Sequence, residues 1–118
     1  MPYVDGFVLV VPKKNLAAYT AMSKKCGKVW KEHGALHYRE CVGDDLAVKV
    51  GVPFPKRVGA KPSETVLFAW IAYKSRAHRA RVNAKVMKDP RIGKMLTGKP
   101  PFDCTRMSFG GFKTIVDM

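Results

Sequence analysis

A chain of 118 residues has the commonest length of a single domain, and such a chain buries roughly two-thirds of its unfolded surface without disulfide or metal staples. The 47% apolar content excludes a disordered chain, and the strongest apolar runs, residues 7–11 and 66–72, fall far short of the roughly 20 residues of a membrane helix. The formal net charge of +13 is the outlying number, and it points to a nucleic-acid or acidic-lipid partner only if the charges gather on one surface.

Residues 3–11 are rich in β-branched and aromatic side chains and read as a strand that Pro12 ends. Residues 13–33 read as an amphipathic helix. At about 100° per residue, Leu16, Tyr19, Met22, Cys26, Val29, Trp30 and His33 share an arc of roughly 140°. Lys13, Lys14, Lys24, Lys25, Lys28 and Lys31 share a separate arc, and Gly34 supplies the stop. Residues 35–43 alternate like a half-buried strand, with Leu36, Tyr38, Glu40 and Val42 on one side and His37, Arg39 and Cys41 on the other. Residues 44–63, with Pro53, Pro55 and Pro62, read as a loop. Residues 64–74 form the strongest strand pattern, and Ser75 is a good N-cap for a helix to about Lys88, which Asp89-Pro90 breaks. One further turn is expected at residues 91–96, then a connection at 97–105. The last strand spans residues 106–116, and Gly110-Gly111 suggests a bulge or a close backbone approach.

The order β-α-β-β-α-β predicts an α+β, ferredoxin-like domain with an antiparallel four-stranded sheet and both helices on one face. The other face of such a sheet is usually polar. Here residues 66–72 and 7–11 are apolar on both sides. Leaving a Phe and a Trp wet would expose a large patch, and burial contributes roughly 25 cal/mol per Å². A second sheet is expected to cover that face, and a second copy of the chain is the simplest source. A homodimer is therefore expected.

Several segments carry a family resemblance. They are Tyr-Val-Asp-Gly-Phe-Val-Leu at 3–9, Val-Pro-Lys-Lys-Asn at 11–15, Lys-Val-Trp-Lys-Glu-His-Gly-Ala-Leu at 28–36, and Glu-Cys-Val-Gly-Asp-Asp at 40–45. Tyr-Lys-Ser-Arg-Ala-His-Arg at 73–79, Val-Asn-Ala-Lys-Val-Met-Lys-Asp-Pro-Arg at 82–91 and Phe-Gly-Gly-Phe at 109–112 complete the set. Together they resemble the YbaA-like bacterial proteins grouped as domain of unknown function 1428. The resemblance implies a dimeric α+β barrel, in which two ferredoxin-like protomers close their sheets together. It implies no activity.

The basic residues fall into two groups, the six lysines of the first helix region and Lys74, Arg76, Arg79, Arg81, Lys85 and Lys88 of the second. If both helices lie on one sheet face, Lys14, Lys24, Lys25, Lys28, Lys31, Arg81, Lys85 and Lys88 belong to one positive outer surface able to bind phosphates by counterion release. No aromatic shares the helical arc of these lysines and no nucleic-acid motif appears, so nucleic acid ranks last among the expected partners. Asp5 is the oddest single residue, a carboxylate in an apolar strand. It reads first as the structural partner of a basic residue and second as a general base. His33 on the apolar arc reads as a hydrogen-bonded residue at the core edge. Neither His33, His37 and His78 nor Cys26, Cys41 and Cys104 have metal-ligand spacing, and the odd cysteine count gives no disulfide framework. No metal and no cofactor are expected. With a start of Met-Pro-Tyr-Val-Asp-Gly that lacks a basic n-region, and with free thiols, the cytoplasm is the expected compartment.

Asp5, His37, Trp70, His78, Arg79 and Asn83 are the candidate pocket residues. The second helix has only Val82 and Val86 as an apolar stripe, so its polar side chains can reach a pocket. Three functions follow in order. The first is a homodimer that binds a small molecule of unknown identity. The second is a cofactor-independent monooxygenase- or isomerase-like enzyme, by analogy of fold alone, with Asp5 or His37 as base, Arg79 holding an oxyanion and Trp70 walling the pocket. The third is a basic dimer that binds RNA or DNA. Nucleotide hydrolysis is excluded, because no helix follows Gly110-Gly111 to cradle a phosphate.

Overall fold

The computed structural model describes residues 1–95 and 97–118. Four strands, β1 (Tyr3–Pro12), β2 (His37–Val42), β3 (Glu64–Tyr73) and β4 (Ser108–Lys113), form one antiparallel sheet in the order β2-β3-β1-β4. The helices are α1 (Leu16–Glu32), α2 (Phe54–Val58), α3 (Arg76–Lys88) and α4 (Pro90–Met95). The two β-α-β halves interleave, which is the ferredoxin-like arrangement.

Helices α1 and α3 cover one sheet face. Leu9 and Val11 of β1, Leu67, Ile71 and Tyr73 of β3, Tyr19 and Val29 of α1, and Val82 and Val86 of α3 are buried between the layers. Helix α1 closes with two bonds past its end. Gly34 N–H donates to the Lys31 carbonyl at 3.1 Å and Ala35 N–H to the Trp30 carbonyl at 3.0 Å. That pairing needs a left-handed residue, and Gly34 supplies it with φ 113°. Ser75 caps α3 by accepting from His78 N–H at 3.1 Å.

Two expectations need correction. The proline-rich loop contains α2, where Pro53 stands at the N-cap, a proline occupies the first turn and Gly59, at φ 66°, ends it. Two of the three prolines that argued for a loop, Pro53 and Pro55, are those a helix start tolerates. The last strand is shorter than expected and has no bulge, since Tyr3↔Lys113 through Val8↔Ser108 pair without a break. Gly111 instead admits the Tyr3 ring where a Cβ would stand. The further turn expected at 91–96 is present as α4, while position 96 lies outside the described residues.

The opposite sheet face is only partly covered. Leu46 and Phe54, from the segment between β2 and β3, lie beside Val66 at one end. Val4, Val8, Phe68, Trp70 and Phe112 remain around an apolar cleft of about 700 Å³, with Phe68 48% and Phe112 62% exposed. The cleft exists because Gly6 and Gly110 face each other in its floor without side chains.

Candidate functional site

The six residues singled out in sequence do not gather. Asp5 and Arg79 meet on the helix-covered side. Arg79 Nε donates to Asp5 Oδ2 at 3.1 Å, and its terminal nitrogen lies 2.7 Å from Oδ1. The second contact is close but poorly angled for a hydrogen bond, so charge rather than direction holds Oδ1. The guanidinium also sits 5.4 Å from the Tyr3 ring centre. Nearby, Asn83 Oδ1 accepts from Trp30 Nε1 at 3.2 Å and from the Tyr73 hydroxyl at 3.3 Å. His78 belongs to the start of α3, where its Nδ1 accepts from Lys74 N–H at 3.0 Å. Desolvation, with help from Lys74, Arg81 and Lys85, holds its pKa below the ordinary histidine value. His37 and Trp70 lie on the other sheet face, in register with Ala72 and with Arg39 and Gly6. His33 bonds Asp89 at 2.9 Å.

A different carboxylate stands at a cavity. β2 alternates as expected, so Tyr38 and Glu40 point under α1 while His37, Arg39 and Cys41 point away. Tyr19 and Ser23, one helical turn apart, both face Glu40. The Tyr19 hydroxyl lies 2.9 and 2.8 Å from the two Glu40 oxygens. Ser23 Oγ donates to Glu40 Oε1 at 2.9 Å and lies 3.1 Å from the Tyr38 hydroxyl. Among the described residues, no cation pairs with Glu40. Burial raises its pKa, against the opposing hydrogen bonds from Tyr19, Ser23 and Tyr38. Burial also raises the phenol pKa values of Tyr19 and Tyr38 above the ordinary tyrosine value, so both remain proton donors.

Two spaces share this wall. An inner cavity of about 230 Å³ lies between α1 and the sheet, lined by Phe7, Leu9, Met22, Trp30, Ile71, Phe102 and Met107 together with the Glu40 group. Phe102 closes it edge-on against Tyr19, with ring centres 5.4 Å apart, and Asn15 anchors that segment through the Pro101 carbonyl at 3.0 Å. An outer cleft of about 530 Å³ opens between α1 and the β2 edge. Leu16, Val42 and Leu67 line it with Lys24, Lys28 and Lys31. Gly27 makes the junction possible, because a Cβ there would lie 2.7 Å from the Tyr38 ring. A glycine inside a helix costs about 1 kcal/mol relative to alanine, and here it lets Tyr38 sit flush under α1.

A carboxyl that is uncompensated by a cation, held by hydroxyls and facing an apolar cavity can take a proton from a bound hydroxyl or acidic C–H and return it. Neither Asp5, His37, His78, Arg79 nor Asn83 lines any of the clefts described here. Sequence reasoning missed the Glu40 group. The signals were present: a carboxylate on the core side of an alternating strand, a serine one turn after Tyr19, and a glycine within the helix. Lys14, Lys24, Lys25, Lys28, Lys31, Arg81, Lys85 and Lys88 are all exposed. Arg79, expected among the pocket residues and not on that surface, turns inward to Asp5. Among the described residues, no three His, Cys, Asp or Glu side chains gather as a metal site, and no helix is long and apolar enough to cross a membrane.

Comparison with known proteins gives a family and a fold. The family model described as "Protein of unknown function (DUF1428)" matches residues 2–104. The uncharacterized protein YbaA of Escherichia coli (strain K12) is 42% identical over 117 residues, covering 99% of each chain. Among solved structures, this chain is similar to a mutant of SnoaB, a cofactor-independent oxygenase from Streptomyces nogalater (TM-score 0.61, 10% identity, 99% and 96% of the two chains). It is also similar to a putative antibiotic biosynthesis monooxygenase from Nitrosomonas europaea (0.61, 12%, 97% and 90%) and to a NIPSNAP family protein of unknown function from Agrobacterium tumefaciens (0.58, 18%, 96% and 87%). At these identities the likeness is one of fold.

Proposed function

Because the chain belongs to the DUF1428 family of proteins of unknown function, its role must be read from its own residues, and we propose that it is a homodimer binding one small, largely apolar molecule per protomer beneath α1, with Glu40 exchanging a proton with it. The observation that carries this reading is the Glu40 carboxyl, held by hydroxyls without a cation at an apolar cavity. A space of about 230 Å³ lies below the usual range for drug-sized ligands of roughly 300–1,000 Å³, which favours a compact ring compound with one ionisable hydroxyl. Titration with 2-naphthol tests it. Trp30 lines the cavity, so its fluorescence in a Trp70→Phe background should be quenched on binding. Glu40→Gln should weaken binding about tenfold, the worth of a hydrogen bond to a charged group. No quenching, or equal binding by Glu40→Gln, would sink the proposal.

A cofactor-independent enzyme is the second reading. The same carboxyl favours it, as the group that would remove a proton to start the reaction. Two neighbours of similar fold carry the descriptions cofactor-independent oxygenase and putative antibiotic biosynthesis monooxygenase. Asp5, committed to Arg79, and His37, on the other sheet face, are poorly placed for that role.

The dimer rests on the uncovered sheet face. A second copy supplies an equally apolar face, which a two-fold axis presents to the first. Light scattering should give twice the 13.1 kDa of one chain, and Phe68→Asp should give the monomer mass; a parent that runs as a monomer at micromolar concentration would refute it. Cys26, Cys41 and Cys104, all free, support assignment to the cytoplasm.

A further inference from the structure

The outer cleft has a chemistry of its own. Its body is apolar, through Leu16, Val42 and Leu67, and its rim carries Lys24, Lys28 and Lys31. All three lysines are exposed. Lys31 Nζ donates to the Leu36 carbonyl at 2.7 Å, which holds one ammonium at the rim and leaves two of its three N–H groups free. The one carboxylate in the lining is Glu40. Its oxygens are engaged by Tyr19 and Ser23, so it offers the lysines no ion pair. Three cations thus rim an apolar floor whose lining offers them no free carboxylate, and Glu32, one turn from Lys28, is paired with Arg91 at 2.6 Å.

We infer that the outer cleft binds an organic anion with an apolar body, its carboxylate or sulfonate on Lys24, Lys28 and Lys31 and its body on Leu16, Val42 and Leu67. A bare phosphate would leave the apolar floor wet, and a neutral ring would leave the cations unused. The site adjoins the proposed Glu40 cavity across the wall of Tyr19, Ser23 and Tyr38, and rests on that reading only for the assignment of the two ligands to one functional centre. Lysine holds such a group as a point charge, so binding should weaken with salt.

Calorimetric titration with 2-naphthoate, beside 2-naphthol, tests this on the full chain. The parent should bind 2-naphthoate, and the combined Lys24→Gln, Lys28→Gln, Lys31→Gln variant should bind it about tenfold more weakly, while keeping its affinity for 2-naphthol. The combined Lys→Arg variant should retain 2-naphthoate binding, and circular dichroism checks that both variants fold. A parent that does not bind 2-naphthoate, or a Gln variant that binds it as tightly as the parent, overturns the inference. Loss of 2-naphthol binding with lysine-dependent 2-naphthoate binding intact would remove the Glu40 reading and leave this site standing.

Discussion

Two carboxylates lie on the same helix-covered face of the sheet, and the protein treats them differently. Asp5, on β1, is 4% exposed and faces the Arg79 guanidinium from α3. Glu40, on β2, is half-buried and faces only hydroxyls. The first is a charge neutralised where it stands, and it ties α3 to the central strand. The second keeps its charge unanswered beside empty space. Desolvation without a partner cation costs stability, and a fold that needed only a filled core would place an apolar residue at position 40. The contrast fits a structural Asp5 and the proton exchange proposed for Glu40.

The largest expected effect comes from breaking the paired carboxylate. Arg79→Met leaves Asp5 buried without its cation, and should cost roughly 3–5 kcal/mol, as removal of one partner of a buried pair does. Replacing both, Asp5→Leu with Arg79→Met, should recover much of that loss, because an apolar pair of similar volume needs no desolvation. Urea denaturation of the parent, the single and the double variant measures both numbers. If the double variant is no more stable than the single one, Asp5 does more than answer Arg79, and the contrast with Glu40 fails.

Asp5 was visible in the sequence and Glu40 was not, for a physical reason. A carboxylate among Tyr, Val, Phe and Leu breaks an apolar run, so its oddity is local. Glu40 shares a strand side with Leu36, Tyr38 and Val42, but in an alternating strand whose polar and apolar positions are already mixed it does not stand out, and its hydroxyl partners appear only once α1 packs on β2. The elements themselves were legible because each rests on local signals: β-branched runs for β1 and β3, the wheel of α1, the Ser75 cap and the Gly34 stop. Helix α2 was not, because prolines read as breakers until their place in the first turn is known. Which basic residue answers Asp5 was hidden, since Arg79 lies 74 residues away. His37 and Trp70 were grouped with Asp5 because a sequence does not say which sheet face each strand presents until the register is fixed.

A smaller effect separates Glu40 from a carboxylate whose pKa is shifted the other way. Glu64 is held down to about 2, below its ordinary 4.5, chiefly by hydrogen bonding from Arg106 at 2.6 Å, with help from the Lys61 N–H. A depressed carboxyl contributes stability that is complete above its unfolded pKa and is lost as pH falls toward 2. Glu40 is raised by burial. The folded chain therefore holds that proton more tightly than the unfolded one, so the associated stability is present below about 4.5, the ordinary glutamate value, and declines as pH rises through the folded pKa. Glu40→Gln removes the decline and leaves the Glu64 contribution in place. Urea midpoints of parent and variant should therefore run in parallel below pH 4.5, separate above it in favour of the variant, and become parallel again once Glu40 is fully ionised. Parallel curves across the whole range would mean that Tyr19, Ser23 and Tyr38 compensate the buried charge fully, and that Glu40, like Asp5, is a satisfied structural group.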